Sequence, residues 1–125
     1  MKTVLLIDDL RVFRVTDPYS DLAIARTSAE ALEILKAEPE KEWDEIWFDH
    51  DLGFTPDGEP DTTLPVADYL AERSFFLDPV KVGIVFIHTS NPVGARTLTV
   101  TLNRYGYHTR QVHAESILTI DQSLY

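Results

Sequence analysis

Three apolar runs in the sequence end abruptly in side chains that could do chemistry. In chain order these side chains are Asp8, Asp9, Asp49, His50, Asp51 and His88. Carboxylate oxygens are the ligands that Mg²⁺ prefers and suit Mn²⁺ as well, and both cations bind phosphoryl oxygens in turn. Imidazoles can act as general acids and bases near neutral pH. The residue types therefore predict chemistry on a phosphate, assisted by a divalent cation.

The four carboxylates are the predicted metal ligands, and the predicted cofactor is Mg²⁺ or Mn²⁺. The ligand set is Asp8, Asp9, Asp49 and Asp51. Carboxylates that converge repel one another unless a cation or a shifted pKa relieves them. The alternative is that they only cap loops and form turn hydrogen bonds, as acidic residues often do after strands.

The predicted catalytic residues are Asp49, His50 and His88. Two imidazoles could face one bound phosphate, whereas either histidine alone could simply hydrogen-bond a neighbouring carboxylate. Side chains alternate along a strand, so His50 points away from Asp49 and Asp51 if the strand continues. The place of His50 therefore depends on how the chain turns after Phe48.

A second set of residues is predicted to hold the phosphate. Ser90 and Asn91 with Pro92 indicate a helix start, whose N–H groups and dipole attract anions. A plain Asn91 cap is the alternative, but it leaves Gly94 unexplained, since glycine in a helix is less stable than alanine by about 1 kcal/mol. Gly94 could let a ligand approach the backbone closely. Arg11 could clamp a phosphate or pair with the nearby acidic residues.

Composition bounds the partners and the setting. The 125 residues suffice for one hydrophobic core, so a single domain over 1–125 is expected. The charge of −10 opposes coating of a nucleic-acid duplex, but one local cation site still admits a small phosphorylated ligand or a nucleic-acid end. The absence of cysteine excludes disulfides and thiolate metal sites, which favours a cytoplasmic protein. No apolar run has the length of a bilayer span, so no membrane partner is expected.

The elements that must position these residues alternate along the chain. Apolar runs predict strands at residues 3–7, 22–26, 45–48, 82–87 and 108–112. Helix signals predict helices after the second, third and fourth strands, with Ser28 as the N-cap of the first. This pattern indicates a three-layer α/β fold, flavodoxin-like or receiver-like, with a parallel five-stranded sheet in the order 2-1-3-4-5. Ligands bind such sheets beyond the carboxyl ends of the strands, where the acidic residues fall.

Three segments depart from a regular repeat. The polar loop at residues 53–62 is long enough for a functional flap. The link at 10–21 and the tail at 114–125, outside a core of about 2–113, leave the first and last helices reduced or missing. We expect the exposed sheet face to be covered by apolar residues of these two segments, or by a second subunit in a homodimer. The candidates are Val12, Phe13, Val15, Tyr19, Ile117, Leu118, Ile120 and Leu124.

Four ordered motifs resemble the cyclic-phosphate processing receiver-like domains, a branch of the two-component receiver superfamily. They are IDDLR at 7–11, ARTSAEA at 25–31, DEIWFDHDLG at 44–53 and HTSNPVG at 88–94, and the resemblance runs from about residue 2 to residue 107. It implies that Asp8 and Asp9 are a metal-binding pair and that Asp49 matches the receiver phosphoacceptor. It also implies that Thr89 or Ser90 matches the receiver hydroxyl residue after strand four. The receiver lysine and proline of strand five are missing, since HTRQVH stands at 108–113.

The leading functional hypothesis is a metal-assisted phosphoesterase that processes cyclic or terminal phosphates. The resemblance implies substrates such as nucleotide or RNA 2′,3′-cyclic phosphates, and so a role in RNA processing. One alternative is a signalling receiver phosphorylated on Asp49. Another is a non-catalytic binding module that acts through protein–protein contacts.

Overall fold

The computed structural model describes residues 1–124 of the chain, without the side chain of Leu124. The strands are β1 (Thr3–Ile7), β2 (Arg11–Phe13), β3 (Asp21–Ala25), β4 (Trp43–Phe48), β5 (Asp51–Phe54), β6 (Pro60–Thr62), β7 (Val82–Ile87), β8 (Thr109–Gln111) and β9 (Leu118–Ile120). The helices are α1 (Ser28–Ala37), α2 (Leu64–Phe75), α3 (Pro92–Arg104) and the single turn α4 (Ala114–Ile117), and a 3₁₀ turn spans Gln122–Leu124. No helix in the described range is long and apolar enough to cross a membrane.

The main sheet has five parallel strands in the order β3-β1-β4-β7-β8, which confirms the predicted topology. Its register decides where the site forms. Ile7 pairs with Phe48, and Phe48 pairs with Ile87, so the three central strands end in line. The next residue of each strand therefore falls in one row at the same edge of the sheet.

One face of the sheet carries the larger core, against which α1, α2 and α3 pack. Its largest fully buried side chains include Leu5, Ile7, Phe48, Leu70 and Leu98. The predicted cap of α1 is wrong by one residue, because Thr27 accepts the hydrogen bond from the backbone N–H of Glu30, at 3.1 Å. Ser28 is instead the first helical residue.

Residues 53–62, predicted to be a polar loop, are an ordered segment, and their function as a flap stays a prediction. They belong to an antiparallel hairpin of β5 and β6, closed by a backbone bond from Thr55 N–H to the Glu59 carbonyl at 2.7 Å. Asp61 is 6% exposed, and its carboxylate accepts from both the backbone N–H and the hydroxyl of Ser28. The hairpin is therefore anchored to the start of α1, which explains its order.

The other face confirms that the first and last helices of the fold are reduced. The link contributes only β2 among regular elements, and it pairs antiparallel with β9 of the tail. This β2–β9 ribbon and α4 cover a second core, in which Phe13 meets Trp47 edge to face at 5.1 Å and Leu118 is 2% exposed. The ribbon thus supplies the predicted cover for much of this face.

The cover uses fewer side chains than expected. Val15 and Tyr19 are 85% and 78% exposed, and Ile120 is 49% exposed, so these three do not close the face as predicted. They lie in the irregular link and on the outer side of β9, where the ribbon turns them to solvent. Leu124 lies outside the described side chains, and a second subunit on this face stays a prediction.

Candidate metal and phosphate site

Three carboxylates meet where the central strands end. Oxygens of Asp8, Asp9 and Asp49 all lie within 4.8 Å of one another. The sheet register brings them together, because Asp8 follows Ile7 and Asp49 donates its backbone N–H to the Ile7 carbonyl at 3.0 Å. An all-oxygen set of this size suits a hard divalent cation. Among the described residues, Oδ2 of Asp8 is buried and has no hydrogen-bond partner, so it can still accept a contact from a ligand.

Asp8 is the most firmly held of the three. It is fully buried, and its Oδ1 accepts from the backbone N–H groups of Leu10 and Arg11 at 2.9 and 2.8 Å. These two bonds fold the chain back just after β1, so that Asp8 closes a tight acidic loop at residues 8–11. The loop in turn fixes where the Arg11 side chain begins.

The Arg11 guanidinium lies between two of the carboxylates. Its Nη1 is 3.5 Å from Oδ2 of Asp8 and 3.8 Å from Oδ2 of Asp49. Of the two roles left open by the sequence, ion pairing is therefore present, but with Asp49 as the second partner. The side chain is 30% exposed, so Arg11 is partly accessible to solvent.

The electrostatics of the group favour a cation. Burial and then the charge of Asp8 raise the pKa of Asp49 to about 6, while Arg11 opposes the rise. Burial, followed by the charge of Asp8, also raises the pKa of Asp9. Both shifts, caused first by burial and then by the charge of Asp8, disfavour the ionised carboxylates until an opposite charge such as a cation relieves them.

His88 is placed behind the carboxylates, on the side of the second core. It is 1% exposed, its Nδ1 is 3.6 Å from Oδ2 of Asp8, and neither ring nitrogen has a hydrogen-bond partner in the described chain. Burial lowers the pKa of His88 to about 4, against the opposing charge of Asp8. His88 is therefore a buried ring that is neutral at neutral pH.

His50 lies outside the three-carboxylate group and packs against the first turn of α3. Its Nδ1 is 3.0 Å from Oδ1 of Asp51, and its ring occupies the space that a Cβ at Gly94 would take. The room beside Gly94 is thus filled by the protein itself rather than open to a ligand. The chain turns into β5 after His50, which explains why this imidazole does not lie beside the Asp49 carboxylate.

Asp51 does not join the metal group, contrary to the prediction. Its side chain is 62% exposed, and it contacts His50 and the Asn91 amide, the latter at 3.3 Å. Because β5 leads away from the sheet edge, Asp51 is carried out with the hairpin. Its role in the structure is to orient its two polar neighbours.

The start of α3 has fewer free donors than the sequence predicts. The Asn91 side chain caps the helix by accepting from the Gly94 N–H at 3.0 Å, and the Asn91 N–H donates to the Thr89 hydroxyl at 3.1 Å. Proline at 92 has no N–H. Thr89 is nevertheless near the acidic group, since its side chain is the weakest of the influences on the pKa of Asp49, which it lowers. Ser90 is exposed beside it.

Sequence reasoning assigned no role to Arg26. Its Nη1 donates to the backbone carbonyls of Asp8 and Arg11, at 3.1 and 2.7 Å, and its Nη2 contacts Asp121 at 3.1 Å. A signal was present, since Arg26 is the last residue of the strand predicted at 22–26, which lies beside the first in the predicted sheet order. The position of Asp121 had no such local signal.

Comparisons with known proteins bear on this site. A model of the family described as "Cyclic-phosphate processing Receiver domain" matches residues 3–104, which include all three carboxylates, both arginines and the start of α3. The comparisons with curated proteins and with solved structures gave no match.

Proposed function

Because this chain belongs to the family of cyclic-phosphate processing receiver domains, we propose that its acidic site hydrolyses cyclic phosphate esters. The substrates that fit this proposal are nucleotide or RNA-end 2′,3′-cyclic phosphates. The observation that carries it is the convergence of Asp8, Asp9 and Asp49 within 4.8 Å, beside the Arg11 guanidinium. A mixed cluster of this kind binds a divalent cation and an anionic phosphoryl group side by side.

The all-oxygen donor set fits Mg²⁺ or Mn²⁺, as does Oδ2 of Asp8, which makes no hydrogen bond to the described residues. Asp8, Asp9 and Asp49 would hold the cation, which when bound supplies charge neutralisation for the phosphoryl group and a lower pKa for a bound water. In the resting protein Arg11 provides part of that neutralisation. On ligand binding, its exposed guanidinium is free to donate to phosphoryl oxygens in a two-pronged contact.

Hydrolysis of a cyclic phosphate adds one water. A bond forms between phosphorus and the water oxygen, one ring P–O bond breaks, the attacking water releases one proton to solvent, and the leaving ribose oxygen takes one proton up. Of the two histidines predicted to transfer protons, we assign this role to His50. Its ring is partly accessible, at 13% exposure, and its Nδ1 is engaged by the Asp51 carboxylate, which leaves Nε2 for proton transfer.

His88 receives a different role. Its buried, neutral ring has Nδ1 3.6 Å from Oδ2 of Asp8, so we assign it as a positioning residue that packs against this carboxylate. Thr89 and Ser90, next to Asp49, are proposed contacts for a phosphoryl oxygen. They complement Arg11 from the opposite side of the strand row.

The test is turnover of nucleoside 2′,3′-cyclic phosphates with Mg²⁺ or Mn²⁺ by four proteins: the wild type, Asp49→Asn, His50→Ala and Asp68→Asn. Asp68 is an exposed carboxylate on α2 and serves as the matched control. Asp49→Asn is expected to lower kcat by at least about 100-fold, and His50→Ala by about 10²-fold or more, as for loss of a proton-transfer group. Asp68→Asn should match the wild type.

Two results would overturn the proposal. One is the absence of metal-dependent turnover in the wild type. The other is a stable phosphoryl adduct on Asp49, seen by intact mass after treatment with a small phosphodonor, without any ring-opened product. The second result would identify a signalling receiver instead of an esterase.

A further inference from the structure

Arg26 joins three parts of the chain that are distant in sequence. It follows β3, and its guanidinium donates to the carbonyl of Asp8 at 3.1 Å and to that of Arg11 at 2.7 Å. These carbonyls are the two ends of the acidic loop at residues 8–11. One rigid, planar group thereby sets the separation between the loop's ends.

The tail completes this arrangement from the other side. Asp121 contacts Nη2 of Arg26 at 3.1 Å, and its backbone N–H donates to the Leu10 carbonyl at 2.7 Å. Asp121 is itself held, because its second oxygen accepts from the N–H and hydroxyl of Ser123. All three contacts that the loop makes with Arg26 and Asp121 use backbone carbonyls of the loop. They therefore fix the path of the loop backbone independently of the loop's side chains.

The contacts of Arg26 and Asp121 with the loop at residues 8–11 form a clamp, and the β2–β9 ribbon extends it. Arg11 pairs with Ile120 in the antiparallel β2–β9 ladder, directly beside the Asp121 contact. Arg26 and Asp121 are only 24% and 25% exposed, so the ion pair between them is partly shielded from solvent. The family match ends at residue 104, so the tail half of the clamp lies beyond it.

We propose that Arg26 and Asp121 are positioning residues of the acidic site, through which the C-terminal tail holds the loop at residues 8–11 in its metal-binding shape. The inference rests on the proposed function only in taking this site as the one that binds metal. Groups that orient metal ligands from behind affect metal affinity strongly, although they never touch the ion. Neither residue belongs to the group of carboxylates that could hold the metal, which is Asp8, Asp9 and Asp49.

The experiment compares Mn²⁺ affinity, by electron paramagnetic resonance, and amide hydrogen exchange, by NMR, in the full chain. The variants are Arg26→Gln, Arg26→Lys and Asp121→Asn. The matched control is Asp21→Asn, which removes an ion pair of similar length, Lys41 to Asp21 at 3.2 Å, at the opposite end of β3. The free energy of unfolding of every variant is measured alongside.

Arg26→Gln is expected to weaken Mn²⁺ binding by about 10-fold, and Asp121→Asn by about 3-fold. Arg26→Lys should recover only part of the loss, because one ammonium cannot span both carbonyls and the carboxylate. The Leu10 and Arg11 amides, which donate to Asp8, should exchange about 10-fold faster in Arg26→Gln. Asp21→Asn should change the affinity by less than about 2-fold, as for an exposed pair.

Unchanged Mn²⁺ affinity and unchanged Leu10 and Arg11 exchange in folded Asp121→Asn and Arg26→Gln would overturn the inference. If Arg26→Gln does not fold, the milder Asp121→Asn decides by the same two measurements. Should the wild type bind Mn²⁺ and turn over no cyclic phosphate, the proposed function fails while the inference is still decided by affinity. Should it bind no Mn²⁺, the metal-binding role fails outright.

Discussion

The imidazole of His50 lies directly on the α-carbon of Gly94, so that a Cβ at position 94 would come 2.6 Å from Cδ2 of the ring. Real side chains do not approach so closely, and the backbone of α3 could not accept any larger residue without displacing His50. The contact joins the turn after β4 to the first turn of α3. The contact explains why position 94 is a glycine, which the sequence analysis attributed to the close approach of a ligand.

Gly94→Ala should destabilise the protein, although alanine is normally the better helix former. Overpacking is expected to outweigh helix propensity and to lower the free energy of unfolding by about 1–2 kcal/mol. In a His50→Ala background the same change should become stabilising by about 1 kcal/mol, because the obstructing ring is gone. Chemical denaturation of the four proteins measures this cycle. A more stable Gly94→Ala single variant would contradict the contact.

Asp49→Asn should stabilise the metal-free protein at neutral pH. The pKa of Asp49 is raised from 3.8 to about 6, so the folded state binds its proton more tightly than the unfolded state does. The stability that this provides is present below pH 4 and is lost as the pH rises through 6. At pH 7 with chelator, the free energy of unfolding of the variant is expected to exceed that of the wild type by roughly 3 kcal/mol, a difference that vanishes near pH 3. Equal denaturation midpoints at pH 7 would refute it.

His88 should give the opposite dependence of the free energy of unfolding on pH. Its pKa is lowered from 6.5 to about 4 by burial, so its contribution to stability is present above pH 6.5 and is lost as the pH falls towards 4. Between pH 4 and 6 the terms from Asp49 and His88 therefore oppose each other in the wild type. The free energy of unfolding should rise with pH in Asp49→Asn and fall with pH in His88→Gln. Parallel profiles for the two variants would show that this assignment is wrong.

Arg11→Gln should separate metal binding from phosphate binding. Arg11 pairs with Asp8 and Asp49 and so competes with a cation for the same oxygens. Its removal is expected to tighten Mn²⁺ binding by roughly 5-fold, about 1 kcal/mol, and to raise KM for a cyclic phosphate. The control is Arg96→Gln, an exposed arginine on α3. Weaker Mn²⁺ binding in Arg11→Gln would mean that the guanidinium supports the metal site instead.

The sequence predicts the central architecture well because buried parallel strands carry a strong signal. The apolar runs at 3–7 and 82–87 coincide with β1 and β7, and both end at the residues assigned to chemistry. The sheet order then follows from the alternation of strands and helices. The convergence of Asp8, Asp9 and Asp49 is a consequence of that order.

Other features depend on contacts that no local pattern encodes. Asp57 and Gly58 fit an open loop as well as a hairpin turn, and Asp61 determines the outcome by bonding to Ser28. His50 and Asp51 are not part of the three-carboxylate group, because the chain turns into β5 after His50. Asp121 and Arg26 are 95 residues apart in the sequence, so their pairing depends on how the tail folds and has no local sequence signal.

The central claim is that the site opens a cyclic phosphate with help from a divalent cation. The most direct measurement is a phosphorus NMR time course of a nucleoside 2′,3′-cyclic phosphate with the protein and Mg²⁺. We predict conversion of the cyclic signal to that of a 2′- or 3′-monophosphate, which stops on chelation and is lost in Asp49→Asn. A cyclic signal that persists with Mg²⁺ and with Mn²⁺, or that decays equally with Asp49→Asn, would contradict the account.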